Sequence, residues 1–185
     1  FTAWNGYHPG LRKIIESGQV DVVQAEYHLL NQTAQEPPPP GSFIHLPEEE
    51  LKREKPDGEY APLDQGQVIP LSVRHNVGVI GIRPLMAGAL SEGVDRPVEP
   101  GSYLDKYFQA GRKLRFLVAE AGYRTLSKAA MVFCLMNQDI ATIIPGVKNA
   151  AEIEEAASCS GAHPISTEYL LRIQELYNRN FDVQW

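Results

Sequence analysis

The sequence predicts an α/β fold built around a parallel sheet. Three observations carry that expectation: three short β-branched runs, helical apolar periodicity before, between and after them, and nearly continuous apolar character within each run. Alternating strands and helices read as βα units. Apolar runs without strict alternation read as parallel strands covered on both faces. Their crossovers are expected to be right-handed.

The elements follow in chain order. Residues 11–17 carry a short helical pattern closed by Gly18, a residue suited to a left-handed C-cap. Residues 20–25 form the first strand. Residues 32–62 then break the rhythm with Pro37-Pro38-Pro39-Pro40-Gly41, Glu48-Glu49-Glu50 and a charged run to Lys55. The prolines favour an extended polyproline segment, and a loop this long is functional or disordered. A weaker helix spans residues 63–75 and the second strand residues 77–82. A second Pro/Gly-rich loop covers residues 91–102. Leu114, Leu117, Val118 and Ala121 recur at helical spacing; Gly122 ends that helix and Thr125 caps the next, which places Leu126, Ala129, Ala130, Phe133 and Cys134 on one face. Residues 140–144 are the third strand, Asn149 caps a helix to about residue 158, and Ser166 or Thr167 caps a last helix carrying Tyr169, Leu170, Ile173, Leu176, Tyr177 and Phe181 on one side.

Composition narrows the function classes. A chain of 185 residues with 43% hydrophobic and 22% charged residues is one domain, 1–185, with material for a real core. A net charge of −6 argues against nucleic acid or an anionic membrane as partner. The densest basic group, Arg112, Lys113 and Arg115, reads as a solvated helix face. No stretch approaches the roughly 18 apolar residues of a membrane span, and no signal peptide is visible. Cys134 and Cys159 show no paired spacing, so neither a disulfide framework nor a zinc site is expected, and the reducing cytoplasm is the expected location. The chain opens at Phe1 without methionine, which reads as a processed product or a piece of a longer protein.

Three segments at strand ends hold the candidate chemistry. Gln24-Ala25-Glu26-Tyr27-His28 ends the first strand; the Gln24 amide can serve a carboxamide as donor and acceptor, or simply satisfy nearby backbone. Residues 83–90 follow the second strand, and small side chains there let backbone N–H groups approach a phosphate, or form an ordinary strand-to-helix turn. Ile144-Pro145-Gly146-Val147-Lys148-Asn149 leads into a helix start, where the dipole and a lysine favour anions, or is a plain loop with a solvated lysine.

In this order and at these separations the segments resemble the aldo/keto reductases. The matching text runs from residues 20–31, through Gly78-Val79-Ile80-Gly81-Ile82-Arg83-Pro84-Leu85, to residues 143–149, and Thr125-Leu126-Ser127-Lys128-Ala129-Ala130 resembles the family's helix before the eighth strand. The resemblance covers most of the chain outside residues 32–62 and implies the C-terminal half of a (β/α)8 TIM barrel, from the end of the fifth strand to the eighth helix. A complete barrel takes about 250 residues. Half a barrel leaves open sheet edges, so an N-terminal half-barrel or partner subunit is expected to complete it.

The resemblance also implies a cofactor lying across the barrel mouth, NADP(H) ahead of NAD(H). Gln24 matches the residue that binds the nicotinamide carboxamide, and Thr2 matches a serine with the same task. Ile82 stands where a stacking aromatic is common. Arg83, Pro84, Leu85, Ala87, Gly88 and Leu90 match the pyrophosphate loop. Ile144, Pro145, Gly146 and Lys148 match the segment holding the adenosine 2′-phosphate, and Glu155 matches an acid at the adenine. Glu152 falls where Arg or Gln is usual, Ala3 replaces an Asn beside the nicotinamide, and Ala156 an Asn at the adenine; these leave NADP against NAD open.

The family's Tyr, Lys, Asp and His tetrad comes from the first half of the barrel, and nothing in this sequence resembles the motif carrying the acid. Tyr60 sits in the insert with no strand before it, and His45 and His75 are isolated. No catalytic residue is assigned. The expected function is an NAD(P)H-dependent oxidoreductase reducing a small carbonyl substrate, this chain supplying cofactor contacts; Phe43 and Ile44 of the insert are available to cover the site, or the insert, with its prolines, equally serves as a partner-docking arm. The alternative is a non-catalytic subunit or interaction protein that kept the fold.

Overall fold

The computed structural model describes residues 8–44, 60–94 and 96–185. Helix α1, His8–Glu16, buries Leu11 and Ile15, which lie one turn apart, and Gly18 follows it at φ +67°. Strand β1 is Val22–Glu26, helix α2 Val68–Arg74 and strand β2 Gly78–Ile82. Helices α3, Tyr103–Lys113, α4, Phe116–Ala119, and α5, Leu126–Leu135, precede strand β3, Thr142–Ile144. Helices α6, Ala150–Ala157, and α7, Thr167–Asn178, come last. The strands begin one or two residues later than the apolar runs suggest.

Helix α3 lies within the stretch where the sequence pattern singled out no element. Its start is capped from both sides: Ser102 Oγ accepts from the Asp105 N–H at 3.2 Å, and Asp105 Oδ2 reaches back past the cap to accept from the Gly101 N–H at 2.9 Å. Helix α5 is buried on nearly every side, from Leu126 through Cys134, and forms the centre of the core. Tyr27 stacks on Phe133 at 5.6 Å, and the Cys134 thiol donates to the Tyr27 carbonyl. Burial pushes that thiol up to about 12. Arg112, Lys113 and Arg115 are exposed, as expected.

The sheet is parallel with order β1-β2-β3. Gly81 sits where an added Cβ would meet Ile143 Cγ2 at 3.1 Å, so the glycine admits the β3 side chain. One face, carrying Val23, Ala25, Val79 and Gly81, is buried. The other carries Val22, Gln24 and Glu26, then Gly78, Ile80 and Ile82, and is only partly covered; Val22 is 42% and Ile144 51% exposed. Covering on both faces, as the apolar runs suggested, is therefore not met within these residues. This is an α/β half-barrel: the second face is the one a closed barrel turns inward.

The ends of the insert are built into the core. Gln32, Thr33 and Ala34 are buried, and Thr33 Oγ1 accepts from the Gln65 N–H at 2.8 Å while Asn31 Nδ2 donates to the Leu63 carbonyl at 2.9 Å. Pro37, Pro38 and Pro39 carry neither helix nor strand. Residues 45–59, with His45 and the acidic run, lie outside the described residues, as does Thr2. Phe43 and Ile44 are core residues. The Phe43 ring stacks on Trp185 at 3.7 Å, its N–H donates to Asn180 Oδ1 at 3.2 Å, and Asn180 Nδ2 donates to the Gly41 carbonyl at 3.0 Å. Neither lines the cleft described next: Phe43 is taken up by packing against the segment after α7, and Ile44 is buried in the core.

Candidate functional site

Glu26, Ile82 and Ile144 are register partners across the sheet, so the three segments after them leave at one level. Between those segments opens a cleft of about 1350 Å³. Gln24, Ile82 and Ile144 line it at the sheet; residues 83–88 and Ser91 to Val94 form one wall; the starts of α5 and α6 form its far end. Ligands of barrel enzymes bind at this end of the strands.

The wall after β2 is held in an uncommon backbone conformation. Arg83, Met86 and Ala87 have φ of +57°, +39° and +50°, and Gly88 +94°. Such residues persist only where surrounding contacts enforce them, and they concentrate at ligand sites. The N–H groups of Met86, Gly88, Ala89, Leu90 and Ser91 all close turns inside the loop. The phosphate cradle expected from backbone N–H groups is therefore limited to amides these turns do not use.

At the far end, two capped helix starts face each other. Thr125 Oγ1 accepts from the Lys128 N–H at 3.0 Å to cap α5 and donates to Glu155 Oε1 at 2.7 Å, tying α5 to α6. Asn149 Oδ1 accepts from the Glu152 N–H at 3.0 Å, and Glu152 Oε2 accepts from the Lys148 N–H at 2.7 Å. Glu152 is thus the acid of a reciprocal cap on α6. Its carboxylate occupies the helix start that the sequence offered to an anion. Glu92 acts similarly on α5, accepting from the Leu126 N–H at 2.7 Å, and that bond, together with Arg115, holds its carboxyl below the usual range.

At the sheet end lies a part-buried polar group. Glu26 Oε1 accepts from His28 Nε2 at 3.1 Å and Glu26 Oε2 from Arg83 Nη1 at 3.2 Å. Burial pushes the Glu26 carboxyl up, but the His28 hydrogen bond and the Arg83 charge outweigh it and hold it below its ordinary value. Tyr60 reaches the same end: its ring lies 5.7 Å from Arg83 Cζ, and its hydroxyl accepts from Arg96 Nη1 at 3.0 Å.

The structure brings Gln24, Ile82, Arg83, Pro84, Leu85, Ala87, Gly88, Ile144, Gly146, Lys148, Glu152 and Glu155 to this one cleft. Leu90 is fully buried in the core, and Pro145 is not among the lining residues. His75 is the exposed C-cap of α2 and lies outside the lining. The sequence reading missed Arg96, Arg124, Lys128 and Ser158 in the lining, and placed no cleft role on Tyr60. Arg124 and Lys128 flank the cap at Thr125, so the cap itself was the available signal.

Parallel strands with a cleft at their C-terminal ends, under a strained loop and two helix starts, define a half-barrel with a candidate binding site. The aldo/keto reductase family model matches residues 57–178, and the chain belongs to that family, whose class is oxidoreductase. Many solved structures are similar in fold, among them two forms of one enzyme. The aldo-keto reductase AKR11C1 from Bacillus halodurans in its apo form shares 19% identity at a TM-score of 0.58, covering 95% of this chain and 49% of that one. Its holo form gives 19% identity and a TM-score of 0.59, covering 95% and 48%. The chain spans about half the length of these relatives. No curated protein matches the sequence. Among the described residues, no helix is long and apolar enough to cross a membrane, and no cluster suits a metal ion.

Proposed function

We propose that this chain supplies the cofactor-binding half of an NAD(P)H-dependent oxidoreductase that reduces a small carbonyl compound. The observation that carries the reading is the register of Glu26, Ile82 and Ile144, which gathers the candidate residues along a single cleft. A bound nicotinamide supplies the hydride, and the protein's part is to bind and orient it. The half-buried Gln24 amide at the sheet end suits the carboxamide, and Ile82 offers an apolar floor beside it. The loop after β2 and Arg83 suit the pyrophosphate. Arg124, Lys128 and Lys148 lie at the far end, where a 2′-phosphate arrives, and favour NADPH; the Glu152 carboxylate opposes it.

The proton donor and the rest of the substrate pocket come, in this reading, from the remaining strands of the barrel, on the same polypeptide or a partner subunit. In this reading they pair at the open edges of β1 and β3, and the partly covered sheet face turns inward against them.

Titration of the chain with NADPH and NADH by calorimetry tests the reading. Saturable binding of NADPH, tighter than NADH and strengthened by Glu152→Gln, supports it. Binding of neither, alone or beside a complementing N-terminal half, overturns it and leaves an interaction protein.

A further inference from the structure

The group behind the cleft has a hydrogen-bond logic of its own. The Leu30 N–H donates to His28 Nδ1 at 3.2 Å, so that nitrogen must be the acceptor of the ring. His28 Nε2 therefore carries the proton of the neutral imidazole and donates to Glu26 Oε1. The second oxygen of Glu26 takes Arg83 Nη1. Both sides of Glu26 face donors, and only a carboxylate accepts on both. A glutamine would set its NH₂ against one of them. His28 is fully buried, and the Tyr107 ring stands edge-on to it at 6.1 Å, which fixes the imidazole plane.

Arg83 is the point where this relay meets the cleft. Its guanidinium is 16% exposed, faces the Tyr60 ring, and belongs to a residue in a left-handed conformation directly after β2. A long, flexible side chain on such a backbone has many rotamers to lose. The part-buried carboxylate removes that freedom before any ligand arrives. Tyr60, with its hydroxyl held by Arg96, closes the other side.

We infer that Glu26 and His28 are positioning residues: they hold the Arg83 guanidinium at the strand end of the cleft, where it contacts an anionic, phosphoryl-bearing ligand. The inference rests on the proposed nucleotide-binding role of the cleft and adds the residues that make Arg83 competent for it. Glu26 and His28 touch no ligand themselves.

The test is calorimetric titration of the full chain with NADPH and with inorganic pyrophosphate, well below the melting transition of every variant. Glu26→Gln and His28→Leu should each weaken pyrophosphate binding at least tenfold, to the level of Arg83→Gln. His28→Gln, which can still donate to Glu26, should stay within threefold of the parent. If the parent binds both probes but Glu26→Gln and His28→Leu bind pyrophosphate unchanged, the relay only stabilises the fold and the inference fails, while the proposed function stands. If Arg83→Gln binds pyrophosphate like the parent, Arg83 is not the anion contact and the inference fails in the same way. If the parent binds neither probe, the proposed function falls and takes the inference with it.

Discussion

Replacing Gly111 by alanine sets two physical effects against each other. Gly111 lies inside α3. On propensity alone, glycine to alanine in a helix interior gains about 0.8–1.0 kcal/mol. The structure reverses the sign. A Cβ at Gly111 would overlap the Ala89 carbonyl oxygen, come within 3.2 Å of the Ala89 carbonyl carbon, and touch Leu90 Cδ2 at 3.9 Å. The neighbour is backbone, in the loop that forms the cleft wall, so no side chain can swing away. Forced insertion of this kind costs about 1–3 kcal/mol, and a backbone obstacle belongs at the upper end. The net is a loss of about 2 kcal/mol, or a fall in Tm of roughly 4–8 °C for a chain of this size. Urea unfolding followed by circular dichroism measures it, with Gly146→Ala as control. Position 146 has nothing within 4 Å of the added methyl and should stay within about 0.5 kcal/mol of the parent. A Gly111→Ala protein as stable as the parent, or more so, would refute the close approach of α3 to the loop.

Two further outcomes follow. Thr125→Ala removes both the cap on α5 and the bond to Glu155, and should cost about 1–2 kcal/mol in urea unfolding, whereas Thr125→Ser restores most of it; equal losses would show that the hydroxyl does not carry the effect. Glu26 has a folded-state pKa below its ordinary 4.5, so its contribution to stability is complete above 4.5 and is lost as pH falls through the depressed value. The gap in unfolding midpoint between the parent and Glu26→Gln should therefore be widest near neutrality and narrow below pH 4.5, and a gap that is constant with pH would refute the ionised carboxylate.

Much of the fold was legible because its signals are local. The apolar runs at β1, β2 and β3 specify strands whatever surrounds them, and Thr125 and Asn149 announced their helices through side chains that bond their own first turns. The gathering of the candidate segments was legible for a related reason: each directly follows a strand, and parallel strands in register deliver such segments to one level. Helix α3 was less visible. Its cap, Ser102 with Asp105, ends a Pro/Gly-rich stretch whose composition reads as loop. What the sequence could not show was how polar groups would pair. Glu152 looked like a charge near an anion site, and only the folded α6 shows its carboxylate turned back onto the Lys148 N–H. Leu90 looked like part of the loop lining, but close packing against α3 draws it into the core. Tyr60 had no strand to place it; its position depends on Arg83 and Arg96, from the far side of β2.

The contacts joining Gly41 and Phe43 to Asn180 and Trp185 imply an order of assembly. They link positions 139 and 137 apart in the chain. Made from an unfolded chain, closing such a loop costs on the order of 4 kcal/mol in entropy for two hydrogen bonds and a ring stack. Made after the sheet has formed and α7 has docked through Tyr177, whose hydroxyl accepts from the Gln32 N–H, the same contacts need only a short tail to swing into place. The expected order therefore places docking of Trp185 after sheet formation, and the measurement that checks it is whether the indole signal of Trp185 and the amide signals of the sheet change at different rates.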